Sequence, residues 1–532
     1  MKKSRNGFKA SLLVLTCSLA LSLSACGGGG SAAGNGSGVE LAESGRGAEL
    51  RMQFTGPPTS LNPALAGTGG STAFVSLAYD PLIFMDSKGE FVPALATAWR
   101  YVGDANTAFE LTIRDGVTFA DGSALTPEAV KASMDYFLKN AGPKALKVGP
   151  IESIEASGKT VTLKYSSPFP EAEATFTQEW MFGNIISPAG LANPASLLVE
   201  TKGTGQYQLS GGETVADSKY VYDRNEKYWL PEAQQFEKVS ISVIGDPNAV
   251  ISAITTNQVD YASGSASTLE AAKAANLEIG STPFFNWSLY LADKKGTINP
   301  ALTDERVRRA IGLAINREAI ANAVGPEVSE ANGQIMNKGT RGYVDGLGFD
   351  YDPAEAKNLL AEAGYPNGFK LTILTQNTID NQTIRSQAIA DNLKQIGIDV
   401  NLEVITTGIA NFTSEALSKK YEAVIFPLTG TSTGSAHKDM LQGGNRNPFQ
   451  IVEPEIDALY KKSLLAASTD ERTEIFEEMS REYYEQAFVI PVFTAKNLKY
   501  VGPGLTNVNS SALNPTDVPT GPGAEYSWQP KK

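Results

Sequence analysis

The residues with the clearest potential for chemistry are Gly430 to Gly434, which read Gly-Thr-Ser-Thr-Gly. In many hydrolases this G-x-S-x-G pattern places a nucleophilic serine on a sharp turn after a buried strand. The apolar run Ala423–Leu428 precedes it and predicts such a strand. A serine nucleophile also needs a histidine base that an acid orients. The sole histidine, His437, follows Ser432 by only five residues, so a secreted serine hydrolase stays the alternative and not the main hypothesis.

Metal and phosphate chemistry have less support than hydrolysis. One histidine and two cysteines, Cys17 and Cys26, cannot supply the usual ligands of a zinc site. Gly158-Lys159-Thr160 resembles the end of a phosphate-binding loop, but Ser153 stands where the first glycine is needed. We therefore predict no catalytic residue, no metal site and no cofactor.

The first residues predict export from the cytoplasm. A basic start, which includes Lys2 and Arg5, is followed by the apolar stretch 11–23. That stretch is shorter than the ~20 residues of a membrane-spanning helix, so residues 1–25 predict a secretory signal peptide. The run Leu23-Ser24-Ala25-Cys26 resembles the lipobox of bacterial lipoproteins, which implies cleavage before Cys26 and a lipid on its sulfur. The glycine-rich residues that follow predict a flexible tether over 26–46.

Composition indicates a soluble globular protein with an acidic surface. The 532 residues suit two or three domains, with 42% hydrophobic and 19% charged residues. Loss of residues 1–25, which hold four basic and no acidic side chains, would change the net charge from −13 to −17. A net negative charge argues against nucleic acid as a partner, because binding of nucleic acid depends on neutralising its phosphates. Cys17 would leave with the signal peptide, so no disulfide is expected in the mature chain.

Alternation and turn signals predict the elements of the first third. Residues 108–113 alternate apolar and polar side chains and predict a half-buried strand. Asp115-Gly116 predicts a hairpin turn, with Val117–Ala120 as the returning strand. Thr126 then predicts a helix N-cap, with Pro127 in the first turn.

The second half predicts an α/β region. Residues 369–374, 384–396 and 399–404 read as strand, helix and strand, an order that implies parallel pairing. Residues 304–317 carry apolar side chains at helical spacing, and Asp352 predicts the N-cap of a helix that ends at Gly364.

Several motifs occur in a fixed order along the chain: Tyr79-Asp80, Pro93–Ala96 with Trp99, Arg114–Thr126, Gly203–Tyr207, Asn225–Trp229, Asp304–Arg317 and Tyr351-Asp352-Pro353. In this order and wording they resemble the extracytoplasmic solute-binding proteins of the peptide/nickel (family 5) class of bacterial ABC transporters. The resemblance covers nearly the whole chain after the tether. Gln206 and Glu226 depart from it, since the family usually has proline at both positions.

The resemblance implies an α/β fold of the two-lobed periplasmic-binding-protein type, with an extra small domain and a ligand cleft between the lobes. Lobe I would comprise residues 47–72, 198–288 and 490–528, the small domain 73–197, and lobe II 289–489. The implied function is capture of an oligopeptide or similar polar solute by hinge closure, followed by delivery to a membrane permease of an ABC importer. We expect an extracytoplasmic monomer, held on the membrane by its lipid.

The resemblance also gives candidate ligand-binding residues. They lie in the loop after the first strand, in the opening motif, in an aromatic segment, in the strand that crosses between lobes and in the loop after residues 423–428: Ser60, Asn62, Tyr79, Trp180, Phe182, Asn286, Trp287, Thr429, Gly430, Thr431 and Ser432. For Trp180, Phe182 and Trp287 a place in the core is the competing interpretation. Peptide-binding members often carry an aspartate in the last loop, but residues 429–434 hold no acid. Neutral polar ligands or peptide backbone are therefore favoured, with sugars and chelated nickel as alternatives.

Overall fold

An eleven-stranded mixed β-sheet runs through the part of the chain that this computed structural model describes, namely residues 39–67, 70–377, 382–441, 443–508 and 510–531. The predicted signal peptide, Cys26 and most of the predicted tether lie outside the described residues. The strands in chain order are β1 Gly47–Phe54, β2 Ile83–Met85, β3 Phe91–Pro93, β4 Ala96–Tyr101, β5 Ala108–Ile113, β6 Ile151–Ser157, β7 Thr160–Tyr165, β8 Tyr207–Leu209, β9 Lys219–Arg224, β10 Phe236–Val243, β11 Tyr261–Ser263, β12 Glu278–Tyr290, β13 Ser329–Ala331, β14 Lys370–Gln376, β15 Asp399–Ile405, β16 Ala423–Leu428, β17 Val489–Val501, β18 Leu505–Thr506 and β19 Gln529–Pro530.

The strand order of the large sheet is β15-β14-β16-β12-β17-β11-β1-β10-β9-β8, and β13 also pairs with β17. At one end β14 lies parallel to β15 and β16, which confirms the parallel α/β prediction. At the other end β1 lies parallel to β10 and β11. Between these halves β12 and β17, of 13 residues each, pair antiparallel along their length. These two long strands connect both halves of the molecule, so they are the place where a hinge can operate.

The helices cover both faces of this sheet and the small domain. They are α1 Thr72–Ser76, α2 Pro127–Asn140, α3 Ala172–Thr175, α4 Pro188–Ala192, α5 Pro247–Thr255, α6 Leu269–Ala274, α7 Glu305–Ala314, α8 Arg317–Val324, α9 Pro353–Glu362, α10 Gln382–Gln395, α11 Ile409–Leu417, α12 Thr433–Leu441, α13 Pro454–Ser463 and α14 Thr469–Gln486. The predicted caps are confirmed. Thr126 Oγ1 accepts a hydrogen bond from the Ala129 amide at 3.2 Å, and Asp352 accepts from the first-turn amides of α9.

The predicted hairpin in the first third is wrong. The strand β5 pairs with β4 and β7, and not with Val117–Ala120. Instead this segment folds back on itself: the Phe119 amide donates to the Ser123 carbonyl at 2.8 Å, and the Leu125 amide to the Val117 carbonyl at 2.9 Å. Val117 and Phe119 are fully buried. Their apolar side chains fill the core, so the alternation that resembled a strand reflects burial and not sheet pairing.

A second, four-stranded sheet of order β4-β5-β7-β6 lies within residues 96–165. Its core is continuous with that around β1 and β10, since Phe109 and Phe176 share a hydrophobic cluster with Leu50. A separate cluster, which includes Trp287 and Ile311, lies around α7, α9 and α10. We keep the names lobe I, small domain and lobe II for the predicted ranges, whose boundaries stay a prediction.

Candidate ligand-binding crevice

The main crevice lies where β17 passes from one half of the sheet to the other. On one side of this strand, β13 pairs as far as Ala495, opposite Ser329. Further along the same strand, β11 pairs from Lys499 onward, opposite Ser263. Residues 496–498 lie between these two partners, and a cavity of about 480 Å³ opens there. Its walls therefore come from lobe I, from the crossing strands and from lobe II, so a hinge motion would change its shape.

Aromatic side chains form much of the wall. Phe54 and Tyr261 come from adjacent strands of lobe I, with 6.1 Å between their ring centroids. Phe285 and Trp287 come from β12, with centroids 6.5 Å apart and rings nearly perpendicular. The full lining is Phe54, Gly70, Tyr261, Ser263, Gly264, Ser265, Ala266, Phe284, Phe285, Trp287, Val324, Val328, Arg385, Ala495, Lys496, Asn497, Leu498, Pro515, Thr516 and Asp517. Small-molecule sites usually have such a wall, apolar with a few placed polar groups.

Arg385 of α10 brings a positive charge to the aromatic wall. Its guanidinium carbon lies 4.4 Å from the centroid of Phe493 and 5.9 Å from that of Trp287. The two rings are stacked on each other with 6.0 Å between centroids. A guanidinium over ring faces is attracted by the ring quadrupoles, which helps to fix its position.

Asp517 and Lys496, two further charged groups of the crevice, have partners of opposite sign. Asp517 accepts from Lys499 Nζ at 2.8 Å and from the Tyr261 hydroxyl at 2.6 Å. Burial, together with the charge of Asp517, raises the pKa of Tyr261 well above its usual value, so the phenol stays a hydrogen-bond donor. Lys496 Nζ contacts Glu330 at 2.7 Å.

The small domain contacts lobe II directly in this structure. The Ser432 hydroxyl donates to Glu171 Oε1 at 3.1 Å. The Lys147 ammonium pairs with Asp439 Oδ1 at 2.5 Å. Asn106 donates from Nδ2 to the carbonyls of Leu464 and Ala466 at 3.1 and 3.2 Å. These contacts hold the small domain against lobe II.

Comparison with known proteins decides the family. Residues 90–444, more than half of the chain, match the family "Bacterial extracellular solute-binding proteins, family 5 Middle". The chain belongs to this family. The "Glutathione-binding protein GsiB" of Salmonella paratyphi A is 24% identical over 478 residues, which cover 82% of this chain and 87% of the relative.

Solved structures of similar fold include HbpA2 from Haemophilus parasuis, with a TM-score of 0.80, 19% identity and coverage of 91% of this chain and 100% of the other. Another is DppA from Helicobacter pylori in complex with the peptide STSA, with a TM-score of 0.69, 20% identity and coverage of 91% and 98%. The family 5 protein thus has the two-lobed fold of periplasmic binding proteins, as predicted. It is the extracytoplasmic substrate-binding component of an ABC importer.

The predicted site residues Asn286 and Trp287 lie in two different places in this family 5 protein. Trp287 borders the crevice but is only 1% exposed and belongs to the core of lobe II, as its competing interpretation expects. Asn286, its neighbour on β12, points to the other side of the sheet. Asn286 Nδ2 donates to the carbonyls of Gln334 and Ile335 at 2.8 and 3.0 Å. With Thr429 and Gly430 it borders a gap that has no room for a water molecule.

The remaining residues of that loop lie at the contact with the small domain. Thr431 is exposed, and its carbonyl accepts from the Arg341 amide at 3.0 Å. Ser432 is fully buried between Glu171 and the Ser435 amide, to which its Oγ is bonded at 3.1 Å. The loop is shorter than predicted, because α12 begins at Thr433.

The three predicted residues of the N-terminal motifs lie away from the crevice. Ser60 accepts from the Asn62 amide at 3.1 Å and borders a different surface groove on lobe I. Asn62 is fully buried and donates to the Tyr136 hydroxyl at 2.8 Å. Tyr79 is fully buried, with its hydroxyl accepting from the Lys202 amide at 3.0 Å. Burial raises the pKa of Tyr79. These contacts fasten the small domain to lobe I.

Trp180 and Phe182 also lie outside the crevice lining. Phe182 is buried in the small domain, with its ring centroid 5.2 Å from that of Phe137 and 5.5 Å from that of Phe176. Trp180 is half-buried. For Phe182 the structure thus favours the competing interpretation, a place in the core.

The arrangement around Ser432 does not supply the histidine base of a serine hydrolase. The His437 Nδ1 lies 2.6 Å from the Tyr483 hydroxyl, and the ring packs against Tyr460. Burial lowers the pKa of His437 to about 4. The hydroxyl of Ser432 is directed to Glu171 instead of to an imidazole.

Within the ranges that the structure describes, no helix is long and apolar enough to cross a bilayer. The same ranges contain no group of three or more His, Cys, Asp or Glu side chains that could hold a metal ion.

Sequence reasoning missed most of the crevice wall. Phe54, Tyr261, Arg385 and Lys496 come from four separate elements, and no local pattern joins them. Phe285 could have been found, because it stands two residues before Trp287 on the same strand and therefore on the same face.

Proposed function

We propose that this protein is a lipid-anchored receptor that binds an oligopeptide or similar polar solute in the hinge crevice and delivers it to the permease of its importer. The observation that supports this most is the position of the crevice at residues 496–498, between the β13 and β11 partners of β17. A ligand seated there touches both halves of the sheet. Its volume of about 480 Å³ falls within the range of about 300–1,000 Å³ that small-molecule sites usually have.

The mechanism is a shift of population between open and closed forms. A solute that contacts both lobes binds the closed form more tightly than the open form, and this difference in affinity drives closure. The contacts of the small domain with lobe II, such as Ser432 with Glu171, form only when the two parts meet. The closed surface is what the permease would recognise. We expect the receptor to act as a monomer.

Peptides are the first solutes to test, because the Salmonella relative is named for glutathione and the Helicobacter pylori neighbour was solved with a peptide. Trp287 is the predicted site residue that lines the crevice. The other ten predicted site residues would act on closure or on the scaffold.

A thermal-shift screen of the full chain, purified in mild detergent, tests the solute class. A ligand that binds the folded state raises the melting temperature by mass action. We expect short peptides to raise it, and Trp287→Leu to remove the shift while Trp99→Leu, in the small domain, retains it. A shift by oligosaccharides or chelated nickel alone would contradict the peptide proposal and leave the family assignment in place.

The anchor is tested by fractionation of cells. We expect Cys26→Ala to prevent incorporation of labelled fatty acid and to release the protein from membranes. Cys17→Ala is the matched control, because Cys17 lies within the predicted signal peptide and would leave with it. Membrane retention of the Cys26→Ala protein with its label intact would contradict the proposed anchor.

A further inference from the structure

We infer that the C-terminal part of the chain supplies a specificity-determining wall of the crevice, in which Thr516 accepts a hydrogen bond from an N–H group of the solute and Glu179 positions Thr516. We call residues 510–517 the strap. This inference deepens the proposed function and rests on it, because it assumes that the solute binds in the crevice at residues 496–498.

The strap forms one wall of the crevice and links that wall to the small domain. Its residues Pro515, Thr516 and Asp517 belong to the crevice lining. Among the residues that the structure describes, none from the predicted small domain, 73–197, lines this crevice. A solute in the crevice therefore meets the strap, and the strap in turn contacts the small domain.

Hydrogen bonds fasten the strap on both sides. Asn514 Nδ2 donates to the Met85 carbonyl of the small domain at 3.0 Å. On the other side, Lys499 of β17 donates from Nζ to Asp517 Oδ1 and to Ser510 Oγ, both at 2.8 Å. Asn514 and Lys499 are buried, and hydrogen bonds withdrawn from water are electrostatically stronger. The strap wall is thus held in place against the hinge strand, as recognition of a solute requires.

The hydroxyl of Thr516 donates its one proton to the small domain. Its Oγ1 lies 2.6 Å from Glu179 Oε2, which accepts the bond. Burial raises the pKa of Glu179, while the bond from Thr516 favours the ionised form. An ionised carboxylate can only accept, whereas a hydroxyl has one proton and two lone pairs. The bond to Glu179 therefore leaves Oγ1 of Thr516 as an acceptor, and a solute group that meets it must donate, as a peptide N–H does.

The two neighbours of Thr516 on the strap differ from it in chemistry. Pro515 has no hydrogen-bonding group in its side chain. Asp517 is directed to Lys499 at 2.8 Å and to the Tyr261 hydroxyl at 2.6 Å, both of which fix the strap. Thr516 is half-buried, and its partner Glu179 lies outside the crevice lining. Of the three lining side chains, that of Thr516 is thus the one suited to read a solute donor.

The test is a double-mutant cycle between one hydroxyl and one N–H group. The probes are Ala-Phe-Ala and its two ester analogues, each with oxygen in place of one amide N–H. Calorimetry measures their binding to the full chain in mild detergent at about pH 8, where a carboxyl is ionised. We expect one ester to bind about fivefold more weakly than the peptide, since one hydrogen bond contributes about that much. In Thr516→Val, which lacks the acceptor, the peptide and that ester should bind equally.

Three further variants separate recognition from attachment of the strap. Thr520→Val is the matched control, because Thr520 Oγ1 also joins the C-terminal part to the small domain, donating to the Ser76 carbonyl at 3.1 Å, yet Thr520 does not line the crevice. It should keep the fivefold difference. Glu179→Ala should reduce the difference, because it frees the proton of Thr516. Glu179→Gln keeps an acceptor oxygen and should restore it.

A fivefold difference that persists in Thr516→Val would overturn the inference. So would equal binding of the peptide and both esters to the wild type, or loss of the difference in Thr520→Val, which would show that attachment alone matters. In each of those cases peptides still bind, so the proposed function stands. Binding of sugars or chelates with no binding of any peptide would instead contradict the peptide function itself, and the inference with it.

Discussion

The hydroxyl of Ser432 donates a hydrogen bond to the carboxylate of Glu171, with 3.1 Å between Oγ and Oε1. One residue lies in the loop after β16 and the other at the start of α3, in the small domain. If the two parts separate at the hinge as proposed, this bond exists only in the closed form. The proposed function therefore gives this residue of the G-x-S-x-G motif a role in closure.

Ser432→Ala should favour the open form by about 1 kcal/mol, the usual net contribution of one hydrogen bond. Binding of the preferred peptide should weaken by no more than about tenfold, since the crevice itself is unchanged. Small-angle scattering of the unliganded chain would show a larger radius of gyration than wild type. Ser196→Ala is the control, because Ser196 is half-buried and its hydroxyl donates only to the Asn193 carbonyl, within the small domain. Complete loss of binding would contradict a role limited to closure.

The ion pair of Lys147 with Asp439, 2.5 Å between Nζ and Oδ1, should make closure sensitive to salt. Both side chains are partly exposed, so the pair is screened and contributes at most about 1 kcal/mol. We expect the radius of gyration of the unliganded chain to increase between about 0.01 M and about 1 M salt. Lys147→Gln should reduce this dependence. Lys131→Gln, which breaks an ion pair within α2, should not.

Asp80 should make the folded state more stable at acidic than at neutral pH. Burial raises its pKa to about 7, although Trp229 Nε1 at 2.9 Å and the Tyr228 hydroxyl at 3.3 Å donate to its carboxylate. The folded state thus binds this proton more tightly than the unfolded chain, whose pKa is about 3.9. The contribution to stability is complete below about pH 4 and is lost as the pH rises through about 7.

Asp80→Asn removes this titration and keeps one oxygen, which can accept one of the two hydrogen bonds. Between about pH 5 and about pH 8, the free energy of unfolding of wild type should fall by on the order of 2 kcal/mol relative to the variant. Urea unfolding followed by circular dichroism measures it. Identical pH profiles for both proteins would show that Asp80 is ionised in the folded state.

His437 should make the folded state less stable at acidic than at neutral pH. Burial lowers its pKa to about 4, and the unfolded value is about 6.5, so the unfolded chain binds the proton more tightly. Its contribution is present above about pH 6.5 and is lost as the pH falls toward about 4. Between about pH 7 and about pH 5, the free energy of unfolding of the wild type should fall by about 2 kcal/mol relative to that of His437→Gln. The same urea experiment checks this, and a parallel decline of both proteins would contradict it.

The sequence alone determined the local elements and the family. The cap at Thr126, the cap at Asp352 and the strand Ala423–Leu428 were all predicted at or close to their places, because capping and periodicity depend on neighbours within a few residues. The parallel order of β14 and β15 followed from the helix between them. The family motifs sufficed to predict a two-lobed solute-binding protein.

Only the tertiary structure decided which side chains meet. Val117–Ala120 alternates like a strand, yet its apolar residues enter the core and β5 finds its partners in β4 and β7. Asn286 and Trp287 are adjacent in sequence but lie on opposite faces of β12, so only Trp287 reaches the crevice.

Arg385 reaches that crevice from α10, far along the chain from Trp287. Ser432 and Glu171 are also distant in sequence, yet they meet where the small domain contacts lobe II. Periodicity and capping carry no information on such distant partners. Pairings of this kind depend on the path of the whole chain through the sheet, which brings remote segments together when the two halves pack.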